Sequence, residues 1–259
     1  MSAALQKSLR RDRALVLSGL LGVVGLAWVY TFYRAGTMQS VDMGMAGPRM
    51  QTWGATDFTL TFVMWAVMMV AMMVPSASPM VLTYSTLYRR RYEQRSPLVP
   101  VSMFLLGYAI TWAAFSMLAT ATQWGFHSAA LLSPMMVSTS PILGGVLLLI
   151  AGVFQLTPLK HACLRRCRTP LGFLMNEWRE GTRGALVMGL RHGVYCVGCC
   201  WLLMALLFVA GVMNLLWVAA IAAFVLVEKV APAGGWVSYT AGVLLVGSGM
   251  WMVAGTVLL

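Results

Sequence analysis

The chain has 259 residues, 60% of them hydrophobic and 10% charged, with a mean hydropathy of +0.80; soluble domains carry about 25% charged residues, which excludes a soluble enzyme. Lys and Arg number 18 against 7 Asp and Glu, a net charge of +11. A nucleic-acid binder needs a contiguous basic face and does not tolerate this much apolar surface, so the charge reads as membrane topology.

Crossing the hydrocarbon core takes about 20 mostly apolar residues. Seven stretches approach that length: 14–33, 58–74 with an extension past Pro75, 99–121, 141–157, 185–209, 212–227 and 237–258. The fourth and sixth are short and call for tilt or help from their flanks. The fold class is therefore all-α, a polytopic transmembrane helix bundle of about seven spans. Residues 1–13 form an N-terminal segment and 14–259 a single helical domain.

The first run follows Lys7, Arg10, Arg11 and Arg13, as a signal peptide would. Its apolar core is too long, and Tyr33-Arg34-Ala35-Gly36 makes a poor cleavage site, so it reads as a retained span. With the N-terminus cytoplasmic, every Lys and Arg except Arg34 and Arg49 falls on the inner side, as the positive-inside rule asks. Lys160 and Lys229 are counted there, and Arg191 reads as a snorkelling anchor at the cytoplasmic interface.

The connection at about 34–57 then lies outside. It carries Met38, Met43, Met45 and Met50 on a polar, Gly- and Pro-containing segment, and thioethers suit Cu(I); Met43 and Met45 are auxiliary candidates. Met64, Met68 and Met72 of the second span form one helical row and Met69 and Met73 another, a pattern read as packing. Trp65-x-x-Met68 returns as Trp201-x-x-Met204 in the fifth span, a thin hint of an inverted repeat. His127, in an uncharged outer connection, reads as interfacial, without a role.

All five cysteines lie between 163 and 200. In the cytoplasmic connection at about 158–184, two prolines bracket a stretch in which a short helix sets Cys163 and Cys167 one turn apart on one face. His161 then points away among the arginines. At about 100° per residue, Met188, His192, Cys196 and Cys199 share a stripe in the fifth span, with Cys200 at its edge and Trp201 opposite. Thiolate, thioether and imidazole select soft or borderline metals, and carboxylates for a hard ion are scarce. The bland account is that free cysteines are small hydrophobes that pack cores. Against it, His192 brings a polar group to membrane depth, where it needs a partner.

Metal ligation is therefore expected from Cys196, Cys199 and His192, with Cys163 and Cys167 closing over them and Cys200 and Met188 in reserve. The ion is copper or zinc, copper being favoured, and the role is metal handling, transport or delivery. A rival reading uses Cys196-x-x-Cys199 as a thiol–disulfide oxidoreductase pair, although burial inside an apolar helix blunts a thiol. A third makes the chain a structural subunit of a membrane complex. No nucleophile, base and oxyanion donor assemble from the few polar residues, and no Walker-type loop is present, so no catalytic residue is assigned.

The Met64-Trp65 to Pro75 span, Thr157-Pro158-Leu159-Lys160 to Cys163 and Cys167-Arg168, and Gly189-Leu190-Arg191-His192-Gly193 to Cys196-Val197-Gly198-Cys199-Cys200 resemble a bacterial family of predicted metal-binding integral membrane proteins, a domain of unknown function. The stretch from Gly211 to Glu228-Lys229 is similar too. The resemblance implies a multi-pass protein of the bacterial inner membrane, with the lipid bilayer around it, a metal chaperone or metalloprotein client as partner, and no nucleic acid.

Overall fold

The computed structural model describes residues 3–44, 54–92, 95–129, 141–232 and 234–257, and the regular elements among them are all α-helices. In chain order these are α1 (Ala3–Gly44), α2 (Ala55–Arg91), α3 (Leu98–Ser128), α4 (Pro141–Leu156), α5 (Pro158–Arg168), α6 (Pro170–Glu177), α7 (Gly181–Ala205), α8 (Leu207–Ala210), α9 (Leu215–Val230) and α10 (Gly234–Val257). Each of the seven expected apolar stretches contains a helix. Five helical segments are long and apolar enough to cross a membrane, or six if α4 and α5, bent by 64°, count as one broken span. With 16 residues, α9 is only about 24 Å long at 1.5 Å per residue, so length alone does not carry the count to seven.

Three stretches differ from expectation. The backbone of α1 runs to Gly44, making the first part of the 34–57 connection helical; the side chain of Met43 and all of Met45 lie outside the described residues. The second span runs past Pro75, as the expected extension allows, and much further than 58–74: α2 continues through Pro75 and Pro79 to Arg91. Pro79 lacks the N–H that would bond the Pro75 carbonyl, and the Ser78 hydroxyl donates to that carbonyl instead at 2.7 Å. The Trp repeat also fails: Trp65 is wholly buried, its indole N–H donating to Gln123 Oε1 at 2.7 Å, whereas Trp201 is 43% exposed.

Threonine–proline pairs shape the cysteine-bearing connection. Thr157 caps α5, its side chain accepting from the Lys160 backbone N–H, and Pro158 occupies the first turn, where its missing N–H costs nothing. Thr169-Pro170 stands at the start of α6 in the same order, with Pro170 again in the first turn, but the Thr169 hydroxyl donates back to the Arg165 carbonyl at 2.8 Å instead of capping α6. Beyond α8, Gly211 adopts φ +95°, a conformation that favours glycine, and there the chain turns into α9.

Glycines decide how α3 and α7 meet. A Cβ on Gly107 would lie 2.2 Å from the Leu186 carbonyl oxygen, and one on Gly189 would lie 2.0 Å from that of Phe104. The two backbones therefore touch, as small residues allow when helices associate in lipid. Pairing of α4 with α10 uses Gly145, Gly152, Gly242 and Gly249 in the same way. Outside this packing, large apolar side chains such as Leu26, Leu118, Leu244 and Trp251 are largely exposed, far more than a water-facing surface carries in one belt.

Candidate metal centre

Close contact of α3 with α7 brings Tyr108 onto Cys196. The Tyr108 hydroxyl lies 3.1 Å from Cys196 Sγ and 3.1 Å from the Met73 carbonyl oxygen, to which it donates. Both the Met73 carbonyl and Ser76, whose hydroxyl donates to that same oxygen at 2.9 Å, belong to the proline-containing turns of α2. Cys200 Sγ donates to the Cys196 carbonyl at 2.9 Å and lies 3.9 Å from Met73 Sδ. Cys199 Sγ donates to the same Cys196 carbonyl at 3.1 Å. All five cysteines are free thiols.

The stripe expected on α7 faces inward, with Met188, His192, Cys196, Cys199 and Cys200 all buried. Sulfur dominates one half of it. His192 occupies the other half, ringed by Phe104, Tyr108 and Phe173 at centroid distances of 5.5 to 5.9 Å. Its Nδ1 is buried without a hydrogen-bond partner, an orphaned donor-capable atom of the kind a ligand satisfies. Met188 packs in a separate apolar cluster with Phe104 and Phe173.

Helix α5 lies against α7, and Cys167 on it is buried facing Cys199. Cys163, one turn earlier, is partly exposed; its sulfur sits 3.1 Å from where a Cβ on Gly198 would stand. His161 is partly exposed on the same helix. Among the described residues, no three His, Cys, Asp or Glu side chains stand together at metal-holding separation. The sulfur contacts run two at a time, Cys200 to Met73 Sδ at 3.9 Å and Cys167 to Cys199 across α5 and α7. Burial of Cys196 and Cys199 to 0% and 2% also denies them the exposed helix N-terminus that lowers a dithiol nucleophile's pKa.

Two lysines counted among the inner-side basic residues, Lys160 and Lys229, are buried in this region. Lys160 is fully buried, its ammonium 2.6 Å from Glu228 Oε1, which also accepts from Ser238 Oγ at 2.6 Å. Lys229, the next residue after Glu228, points to the other side. Its ammonium donates to Cys196 Sγ at 2.9 Å and to Ser76 Oγ at 3.0 Å. Buried charges are expensive unless paired, and at membrane depth they mark function by default. Arg191 is half-exposed and paired with Glu177.

Tyr108, Ser76 and Lys229 thus line the sulfur cluster, and Glu228 pairs with Lys160 beside it, without having been expected there. The available signal was Glu228-Lys229 itself, two charges at the end of an apolar helix, which topology counting takes as inner-side. A Tyr or Ser in an apolar span gives no comparable signal.

No curated protein and no solved structure matches the chain. A family model does, over residues 62–252, which takes in every helix from α2 to most of α10 and all five cysteines. Its description is copper chaperone, with which the expectation of a metal-binding family is compatible and which supports a copper-handling role. By that match, the chain belongs to the PpoB2 family of copper chaperones.

Proposed function

We propose that the protein is a multi-pass membrane protein that receives Cu(I) on the Cys196 and Cys199 thiolates and passes it on through the thiols of α5. The observation that carries this is the convergence, in one dry region, of Cys196, Cys199, Cys200 and Cys167 with the Met73 thioether. Thiolates and thioethers select Cu(I). Structural zinc asks for four ligands, whereas Cu(I) is content with two, and sulfur contacts that run two at a time suit the lower number.

Burial gives the thiols an order. Cys163 is the partly exposed one, Cys167 beyond it faces Cys199, and Cys196 and Cys200 are fully buried. Copper held by Cys196 and Cys199 reaches a client by exchange onto Cys167 and then Cys163. His192, with its unpartnered Nδ1, and Cys200 serve as auxiliary donors in that exchange. Membrane insertion rests on the five or six apolar helices of sufficient length and the exposed apolar belt, and the clustering of basic residues sets the N-terminus in the cytoplasm.

Purified protein from copper-replete cells is expected to carry close to one copper per chain, and the Cys196→Ser, Cys199→Ser double variant to carry almost none. Elemental analysis decides it. A double variant that retains the full copper content refutes the assignment.

A further inference from the structure

We infer that Lys229 is the residue that makes the sulfur site selective for a monovalent soft cation over a divalent one. This rests on the assignment of Cys196 and Cys199 as the copper-binding pair. The charge of the buried region can be counted residue by residue. Lys160 and Glu228 cancel one another at 2.6 Å, and Ser238 completes the Glu228 oxygen. Glu228 is thus already matched, although it is the nearest carboxylate in sequence to Lys229.

Among the described residues, the ammonium of Lys229 has two hydrogen-bond partners, Ser76 Oγ and Cys196 Sγ. Ser76 is neutral and spends its own proton on the Met73 carbonyl. The counter-charge for a 7% exposed lysine must therefore come from sulfur. Tyr108 cannot supply it, since its hydroxyl is bonded both to the Met73 carbonyl and to Cys196.

With Cys196 already the thiolate opposite the Lys229 ammonium, loading the site releases the one remaining thiol proton, that of Cys199, to solvent and forms two sulfur–metal bonds without any change of oxidation state. With Cu(I) the bis-thiolate carries one negative charge, which the Lys229 ammonium neutralises. With Zn(II) the bis-thiolate is neutral, and the ammonium becomes an unmatched buried cation. An uncompensated charge in a dry interior is strongly disfavoured, so the lysine lowers the cost of the monovalent ion and raises that of the divalent one. Its position against sulfur makes it an outer-sphere partner of the metal, a class that tunes affinity without ligating.

The test compares full-length protein in detergent, titrated with Cu(I) against a competing Cu(I) chelator and with Zn(II) against a zinc indicator. In Lys229→Met, Cu(I) affinity should fall about 10- to 100-fold, the usual effect of losing an outer-sphere partner, while Zn(II) affinity holds or rises. Lys229→Arg, which keeps the charge, should retain the preference, and Lys229→Gln is the neutral alternative if the Met variant aggregates. Wild-type protein should itself hold Cu(I) far more tightly than Zn(II). Equal loss of both metals, an unchanged ratio, or equal wild-type affinities would overturn the inference. If instead Cys196→Ser with Cys199→Ser binds Cu(I) like the wild type, it is the underlying site assignment that fails.

Discussion

Gly189→Ala sets a methyl group 2.0 Å from the Phe104 carbonyl oxygen and 2.8 Å from its carbon, both backbone atoms that no rotamer change can move. Ordinary contact begins at 3.4 Å, so α3 and α7 must separate by on the order of 1 Å along the line of closest approach. Overpacking of this kind costs about 1–3 kcal/mol. The separation falls directly on the site, because the 3.1 Å contact between Tyr108 and Cys196 spans the same pair of helices; about 1 Å more takes it beyond hydrogen-bonding range. Thermal unfolding in detergent should therefore show a lower midpoint for Gly189→Ala, accompanied by faster alkylation of Cys196 in a background lacking the other four cysteines. Gly247→Ala on α10, where a Cβ meets nothing within 4 Å, is the control and should change neither. A Gly189→Ala protein as stable as the control, with Cys196 equally protected, would show that α3 and α7 are not held by backbone contact.

Two further outcomes follow from charge and burial. Lys160→Met leaves Glu228 buried and unpaired and should cost about 3–5 kcal/mol, whereas Lys160→Met with Glu228→Met should recover most of that loss; chemical unfolding of the three proteins in detergent measures it. Cys163 should react first with a small alkylating agent, ahead of Cys167, Cys196, Cys199 and Cys200, in the order of their exposure, and Cu(I) loading should slow the reaction of Cys196 and Cys199. Mass spectrometry of a labelling time course reads the order, and simultaneous modification of all five would contradict the graded burial.

The helices were legible because burial in lipid writes itself as apolar runs, and the run at 99–121 lies within α3 and that at 237–258 almost coincides with α10. The inward stripe of α7 was legible too, since 100° per residue fixes which of Met188, His192, Cys196 and Cys199 share a face. The burial of Lys160 and Lys229 was not legible, for a definite reason. Topology counting weighs a basic residue by its side of the membrane, and it cannot tell a lysine that snorkels to water from one that turns inward. What turns them is a partner 68 residues away in one case and 33 in the other, information no local window holds. How far the second span runs past Pro75 was not legible, because neighbouring hydroxyls and packed helices supply what the prolines take away.

Adjacent positions in a helix point about 100° apart, and Glu228-Lys229 uses that angle to address two neighbours at once: the carboxylate serves Lys160 on α5 and the ammonium serves Cys196 on α7. The order of the two letters therefore carries information that their composition does not. Exchanging them would preserve length, hydropathy and net charge, yet it would set two ammonium groups against each other on one side and a carboxylate against the sulfur cluster on the other. For this chain, an anagram of two neighbouring residues is a more drastic edit than many changes of residue type.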